Sequence, residues 1–397
     1  MGSQVGLFVK FHTYVCVRCF MRAVYLDCNA TTPIDQEVRE AVLRFADEEY
    51  GNAGSRTHDF GNKAKHAVQE ARDAVASLVA AQRDEVIFTS GATEANNIAI
   101  LGLESHAEKS QRRHIVTTSL EHKAVLEPVE HLRRRGFEVT IVAPNELGWV
   151  EPAAIQAALR PDTLLVSVMH VNNETGIRQP LEDIAGALAS SEAYFHVDAA
   201  QGFGKEIEAL RNPRIDLMSV SGHKVYAPKG IGALVVRRRG FTRVPLSPLM
   251  FGGGQERGLR PGTLPVPLIV GLGIAAKVAA RDLATRRKAA MAFRGRLLAA
   301  LAPVGAVQNG DPDRCIATTV NVSIPGIDSE AVMVALKEVV AISNGSACTS
   351  SSYEPSHVLT AMGLSEDRIR GALRFSWCHL TPEPDWSELT GCLKNLL

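Results

Sequence analysis

Short β-rich runs that alternate with amphipathic segments are the feature that most restricts how this chain can fold. The runs are EVIFTS (85–90), HIVTTS (114–119), FEVTIVA (137–143), TLLVSVMHV (163–171), YFHVD (194–198), DLMSVSG (216–222) and GALVVR (232–237). Residues with helical spacing separate several of them, as at 93–105 and 122–135. Such alternation is typical of a mainly parallel sheet covered by helices on both faces. It therefore predicts an α/β fold.

The pattern changes after Pro267, which predicts a second, smaller α+β domain. A long helical stretch (268–301) is followed by strands TTVNVSI (318–324), VVAIS (339–343) and ALRFS (372–376) among short helices. A chain of 397 residues also exceeds one ordinary hydrophobic core. The predicted division is an N-terminal extension at 1–20, a large cofactor-binding domain at 34–283, and a small domain formed by 21–33 and 284–397.

Charge and cysteine content argue against several classes of function. Lys plus Arg and Asp plus Glu both number 43, so no net field draws the chain to nucleic acid or to an anionic membrane. The arginine runs at 133–135 and 237–239 are expected on the solvated surface. The 7 scattered cysteines favour a reducing cytoplasm. Cys16 and Cys19, with His12 just before them, fall short of the four ligands of a structural zinc site, so we predict no metal. Residues 1–20 match neither a signal peptide nor a membrane span.

Polar residues stand where predicted strands end, at Ser90, Asn172, Asp198 and Ser221. In an open α/β sheet, ligands bind beyond the carboxyl ends of the strands. Ser90 lies in the turn TSGATEANN (89–97), where free N–H groups and the dipole of the following helix favour binding of an anion. These features together predict a cofactor site.

The segment SGHKVYAPKG (221–230) carries the strongest chemical signal. Lys224 directly follows a strand, and a lysine amine there can form a Schiff base with a carbonyl cofactor. Ser221 and His223 can hold a phosphate beside it. Taken singly, a lysine at a strand end is more often a surface group.

Two further residues suit the same cofactor. Asp198, in HVDAAQ (196–201), can keep a pyridine nitrogen protonated, and Gln201 can donate to a phenolic oxygen. His122, in EHKAVL (121–126), can stack on an aromatic ring or move protons. The alternatives are a helix cap for Asp198 and a structural role for His122.

The chain resembles the class V aminotransferases, and within them the cysteine desulfurases of the IscS/NifS type. The matching blocks extend over residues 25–377 and are YLDCNATTP, YGNAGSRTHDFG, FTSGATEANN, EHKAVLEP, MHVNNETG, HVDAAQGFGK, SGHKVYAPKGIGALVVRR, FGGGQERGLRPGTLP, SNGSACTSSSYEPSHVL and ALRFSW. The resemblance implies a pyridoxal 5'-phosphate (PLP) enzyme of fold type I that works as a homodimer.

The resemblance also implies a role for each matching residue. Lys224 would bind PLP covalently, Asp198 would pair with its pyridine nitrogen, and His122 would stack on its ring. The residues that would cradle the phosphate are Ala92, Thr93, Ser221, Gly222 and His223. Gln201 and Asn173 would lie around the phenolic oxygen, and Thr263 would reach the phosphate in the other subunit's site. Asn173 and Arg374 would bind the substrate, with Arg374 holding its carboxylate.

Cys348 identifies the expected reaction. It lies in SNGSACTSSS, a run of small residues without a bulky apolar anchor. A thiolate there can take the sulfur of L-cysteine as a persulfide, release L-alanine and pass the sulfur to an acceptor protein. His122 is the predicted partner for the thiol proton. The length of this segment resembles that of the IscS/NifS group.

The sulfur acceptor is the least constrained part of the prediction. The chain ends soon after its last predicted helix, without the long tail that IscS-type enzymes use to hold an iron–sulfur scaffold. The blocks APKGIGAL, MFGGGQERGLRPGTLPVP and NNETGIRQP look closer to the desulfurases of DNA phosphorothioation. A phosphorothioation enzyme is therefore the first expectation, and an iron–sulfur scaffold or tRNA thiolation is the alternative. A selenocysteine lyase, an aminotransferase and a non-catalytic adaptor are rival hypotheses.

Overall fold

The computed structural model describes residues 23–344 and 355–397. Its strands are β1 Val24–Tyr25, β2 Val86–Thr89, β3 His114–Thr118, β4 Glu138–Val142, β5 Thr163–Ser167, β6 Tyr194–Asp198, β7 Leu217–Ser221, β8 Gly232–Val236, β9 Arg238–Arg239, β10 Thr242–Arg243, β11 Val307–Gln308, β12 Thr319–Ser323, β13 Val340–Ala341 and β14 Ala372–Ser376. Its α-helices are α1 Gln36–Asp47, α2 Asp59–Leu78, α3 Ala92–Leu101, α4 Glu104–Ser110, α5 Lys123–Arg134, α6 Pro152–Ala157, α7 Leu181–Ala187, α8 Val266–Leu301, α9 Ser329–Leu336, α10 His357–Ala361, α11 Glu366–Arg370 and α12 Trp386–Lys394. None of these helices is long and apolar enough to cross a membrane.

A seven-stranded sheet in the order β2-β8-β7-β6-β5-β3-β4 organises the larger part of the chain. Neighbouring strands from β7 to β4 run parallel, whereas β8 is antiparallel to both β2 and β7. Strands β2, β3, β5, β7 and β8 are buried at every residue, as apolar strands covered on both faces must be. The predicted α/β class with a mainly parallel sheet is confirmed.

Helix α8 joins this sheet to a second layer. Its first half, at 266–279, packs in the core of the large sheet, and its second half, at 290–301, packs in a separate core. The separate core belongs to the antiparallel sheet β11-β12-β14. The predicted boundary at 283/284 falls between the two halves and stays a prediction, and Val358 and Leu359 of α10 pack in the large core.

The side chain of Arg237 is buried, so the expectation that the whole run 237–239 lies on the solvated surface is wrong. Only 6% of Arg237 is exposed. Its guanidinium donates to the carbonyl oxygens of Leu210, Asn212 and Ile215, among others. Because these carbonyls accept hydrogen bonds from its N–H groups, the guanidinium is buried without the cost of unpaired donors.

Candidate active site

A cavity of about 470 Å³ lies at the carboxyl ends of β6 and β7. It is lined by Asn29, Ala30, Ser90, Gly91, Ala92, Thr93, Glu94, Asn96, His122, Ala124, Met169, Asn173, Asp198, Ala200, Gln201, Ser221, His223, Lys224, Lys229, Gly230 and Arg374. Residues from distant parts of the sequence meet here because parallel strands end at one edge of the sheet. Most of the predicted site residues that the structure describes are in this lining.

The turn between β2 and α3 forms the end of the cavity that suits an anion. No side chain caps the N-terminus of α3, so its first N–H groups lack that partner. A Cβ at Gly91 would meet only Ser221 Oγ, at 3.9 Å, so the backbone of this turn is open to a ligand. Burial, and then the nearby Lys224, lower the pKa of His223 to about 4. The anion would therefore be held mainly by N–H groups and hydroxyls, with His223 neutral.

Lys224 is held by the segment that precedes α1. Its Nζ donates to the carbonyl oxygens of Asn29 and Ala30, the latter at 2.8 Å. The Asn29 carbonyl also accepts from Gln201 Nε2, at 2.9 Å. Asn29 and Ala30 lie in a block that the sequence marked as matching, but no local pattern assigned them a role.

Asp198 lies at the end of β6 and is oriented from two sides. Its Oδ2 accepts a hydrogen bond from Asn96 Nδ2 at 2.8 Å, and its Oδ1 accepts from the backbone N–H of Ala200 at 2.9 Å. The second contact lies in a turn and no helix begins there, so the helix cap considered as an alternative is not formed. Asn96 is fully buried and was missed by the sequence analysis, because an asparagine inside a helix carries no signal of its own.

His122 caps α5 and is neutral. Its Nδ1 accepts from the backbone N–H of Ala124 at 3.1 Å. Burial lowers the pKa of His122, although the nearby Asp198 opposes the shift. The proton of the neutral ring is therefore on Nε2, which makes His122 a hydrogen-bond donor. The predicted proton transfer from Cys348 would need the other tautomer and the loss of the Ala124 contact.

Arg374 lines the cavity with a guanidinium that is almost fully buried. Its Nη2 pairs with Asp27 Oδ1 at 2.6 Å, and its Nη1 donates to the carbonyl oxygen of Asn173 at 3.1 Å. Arg374 Nε has no partner among the described residues. The geometry leaves a donor for a substrate carboxylate and reveals Asp27 as the residue that orients the guanidinium.

Two of the predicted residues that the structure describes, Gly222 and Thr263, lie outside the cavity lining. Gly222 packs behind the strand end, where a Cβ would lie 2.8 Å from Ile231, so glycine is required by packing. Thr263 is exposed and is not among the residues that line the cavity. Cys348 is outside the described residues. The roles assigned to all three stay predictions.

Glu121 is a buried acid that the sequence analysis missed. Its Oε1 accepts from Met169 N at 2.7 Å and from Thr118 Oγ1 at 2.9 Å. Burial raises the pKa of Glu121 to about 8, and the charge of Asp198 adds to the shift. Glu121 is therefore largely protonated at neutral pH.

The lining fits PLP in the types and states of its groups. It offers an anion cradle, a lysine amine, an ionisable carboxylate and an imidazole. Asn96 Oδ1 and Gln201 Oε1 are buried without a partner among the described residues. Buried polar atoms are usually hydrogen-bonded, so these two are expected to bind a polar ligand. Gln201 presents its amide oxygen here, so the predicted donation to a phenolic oxygen requires the amide to be flipped.

Known proteins resemble the chain over nearly its whole length. The family model described as aminotransferase class-V matches residues 24–389. A cysteine desulfurase of Homo sapiens is 44% identical over 92% of this chain and 79% of its own length, and the cysteine desulfurase IscS of Anaeromyxobacter dehalogenans is 46% identical over 91% and 89%. The structure of DndA from Streptomyces lividans aligns with a TM-score of 0.78 and 52% identity, covering 89% of this chain and 99% of DndA.

Proposed function

The chain belongs to the class-V aminotransferase family, and from that premise we propose that it is a PLP-dependent cysteine desulfurase. The observation that carries the proposal is the convergence of Lys224, Asp198 and His122 on one cavity that Arg374 also lines. Lys224 offers an amine, Asp198 a partner for the ring nitrogen of PLP, and His122 a ring that can stack on the cofactor. Arg374 offers a guanidinium for the carboxylate of an α-amino acid. The products are L-alanine and a sulfur atom carried as a persulfide.

When bound, PLP supplies an electron sink that stabilises negative charge on the substrate's α-carbon. Asp198 would hold the pyridine nitrogen proton, and the Asn96 amide keeps its carboxylate directed. Lys224 would bind the cofactor and afterwards move protons at the substrate, close to the Asn29 and Ala30 carbonyls. The Arg374 guanidinium, held by Asp27, would bind the substrate carboxylate.

Sulfur transfer is proposed for Cys348. Its thiolate attacks the sulfur of the bound cysteine, the bond between that sulfur and the β-carbon breaks, and a persulfide forms on Cys348. The electron pair of the broken bond stays with the carbon fragment, which takes up protons and leaves as alanine. The His122 Nε2 proton can be donated within the site.

The function is tested by product analysis with L-cysteine. A desulfurase should release alanine and, with a thiol reductant, an equal amount of sulfide. An aminotransferase would instead release a keto acid and need an amino acceptor. A selenocysteine lyase would turn over selenocysteine but leave cysteine unchanged, so the same assay with both amino acids separates the three reactions.

We also propose a homodimer with composite sites. The segment that leads to Thr263 is anchored beside the cavity: Glu256 forms a buried pair with Arg72, and Arg260 pairs with Glu94 Oε1 at 2.9 Å. Glu256 and Arg257 have positive φ values of 44° and 61°, a strained conformation that the buried pair helps to hold. Rigid anchoring supports a segment that presents Thr263 to another subunit.

Mixed dimers test this arrangement. Each Thr263→Ala site should bind PLP about 10–100-fold more weakly, the loss expected for one hydrogen bond to a charged group. A dimer of one Lys224→Ala chain and one Thr263→Ala chain should regain one intact site and about half the wild-type rate. The matched control places both substitutions on one chain beside a wild-type chain, which leaves no intact site. Equal rates for the two dimers would contradict the composite site.

For the acceptor, we propose an enzyme of DNA phosphorothioation in the cytoplasm. The proposal is supported by the sequences of the blocks APKGIGAL, MFGGGQERGLRPGTLPVP and NNETGIRQP and by the 52% identity to DndA. Incubation with sulfur-labelled cysteine and purified candidate acceptors tests the proposal. Label should pass to a phosphorothioation protein faster than to an iron–sulfur scaffold protein, and the opposite order would favour the alternative pathway.

A further inference from the structure

Glu121 and Asn172 are buried polar residues that border the candidate site without lining it. Both are 0% exposed, and neither lines the cavity, although the residues that directly follow them, His122 and Asn173, do. The proposed mechanism gives no task to Glu121 or Asn172. Because a buried carboxyl or amide group is costly unless it is hydrogen-bonded, the partners of these two side chains indicate what they hold.

Glu121 joins the ends of two neighbouring strands. Its Oε1 accepts a hydrogen bond from Oγ1 of Thr118, the last residue of β3, at 2.9 Å. The same oxygen accepts from the backbone N–H of Met169, just beyond the end of β5, at 2.7 Å. His122 lies in the short connection between β3 and α5, so this one carboxyl group fixes that connection against β5.

Asn172 links the same connection to the segment that carries Asn173. Its Nδ2 donates to the carbonyl oxygen of Leu120 at 3.1 Å. Its Oδ1 accepts from the backbone N–H groups of the two residues after Asn173, both at 2.9 Å. The carbonyl oxygen of Asn173 in turn accepts from Arg374 Nη1 at 3.1 Å. A single amide group therefore couples the placement of His122 to that of Arg374.

We propose that Glu121 and Asn172, together called the buried brace, are positioning residues that hold His122 and Asn173 at the cavity. The brace acts through its neighbours: Glu121 through His122, and Asn172 through Asn173 and the Arg374 guanidinium. Groups that react or bind must be placed closely, since a misplacement of about 1 Å can slow a reaction by about 10²-fold. The inference rests on the proposed function for the roles of His122 and Arg374.

The hydrogen bonds of Glu121 do not require a charge. Both are accepted by Oε1, and Oε2 has no partner among the described residues. Burial raises the pKa of Glu121 to about 8, so the group that accepts them at neutral pH is largely the uncharged acid. A glutamine can accept the same two bonds through its amide oxygen. Glutamine should therefore replace Glu121 in the brace, whereas leucine, which has no acceptor, should not.

The first test measures steady-state turnover of L-cysteine by the holoenzyme. Glu121→Leu and Asn172→Leu should each lower kcat/KM by about 10²-fold, as expected for a displaced active-site group. The loss in Glu121→Leu should fall mainly on kcat, because His122 is displaced. The loss in Asn172→Leu should fall mainly on KM, because the displaced group is the one that would bind the substrate carboxylate. Glu121→Gln should keep most of the wild-type kcat/KM.

The matched control is His114→Leu. His114 is also 0% exposed, and its Nδ1 contacts Thr163 Oγ1 at 2.8 Å, at the opposite ends of the two strands that Glu121 joins. His114 does not line the cavity. The substitution should lower the Tm, as the two leucine variants of the brace do, yet leave kcat/KM unchanged.

A second test needs neither PLP nor turnover, so it separates failure of the brace from failure of the proposed function. The full-length chain without cofactor is treated with diethylpyrocarbonate, and mass spectrometry follows the rate at which the His122 peptide is modified. Glu121→Leu should raise this rate several-fold, because the partly buried ring is released. Glu121→Gln and His114→Leu should keep the wild-type rate.

Thr118→Val keeps the inference testable if Glu121→Leu does not fold. It removes one of the two hydrogen bonds to Glu121 and should cause a smaller rise in the modification of His122. A wild-type modification rate in Glu121→Leu would overturn the inference, as would a loss of kcat/KM in Glu121→Gln as large as that in Glu121→Leu.

Discussion

Lys224→Ala is expected to abolish covalent attachment of PLP and to slow cysteine turnover by at least about 10²–10⁴-fold, the range that loss of a proton-transfer group costs by itself. The substitution removes the amine from the one position where the Asn29 and Ala30 carbonyls hold it. The fold should survive, because water in the cavity can hydrogen-bond to these carbonyls. Borohydride reduction of the holoenzyme followed by peptide mapping should find PLP on Lys224 and none in the variant.

The matched control for this experiment is Lys229→Ala. Lys229 also lines the cavity but is exposed, and it should lose neither the covalent cofactor nor most of the activity. A reducible PLP adduct on Lys229, or one that persists in Lys224→Ala, would show that another amine binds the cofactor. Noncovalent binding of PLP by Lys224→Ala is compatible with the proposal, since the anion cradle is untouched.

Cys348→Ser is expected to eliminate sulfur transfer while PLP still reacts with cysteine. A hydroxyl cannot replace a thiolate as the nucleophile, because it stays protonated at neutral pH, whereas an unperturbed thiol has a pKa of about 8.5. Mass spectrometry after one turnover should find an added sulfur atom on the Cys348 peptide of the wild-type chain. The variant should show a spectral change on adding cysteine, yet no persulfide and no alanine.

Single serine substitutions at the other cysteines are the controls for Cys348. Cys315→Ser and Cys392→Ser should keep sulfur release near the wild-type rate, because neither residue lines the cavity. An added sulfur on the Cys28 or Cys378 peptide, or sulfur release by Cys348→Ser, would falsify the assignment.

The sequence by itself determined the sheet and the edge at which the site lies. Buried runs such as TLLVS have no polar face, so they require cover on both sides, and the helices between them supply it. The polar residues Asp198 and Ser221 mark strand ends, and parallel strands bring such ends together. This reasoning is local, since it depends on spacing within about ten residues and on general rules of α/β topology.

Only the tertiary structure decided which groups contact one another. Lys224 and the Asn29 carbonyl are separated by 195 positions in the sequence, and Arg374 and Asp27 by 347. Cys28 and Cys378, which pack in one small cluster with Tyr226, are equally remote in the sequence. No spacing rule predicts such contacts, because they depend on how β1 and the segment after it pack against both β14 and the large sheet. Tertiary packing also sets the burial that lowers the pKa of His122 and raises the pKa of Glu121. Desolvation depends on all the groups around a side chain, and the local sequence does not specify them.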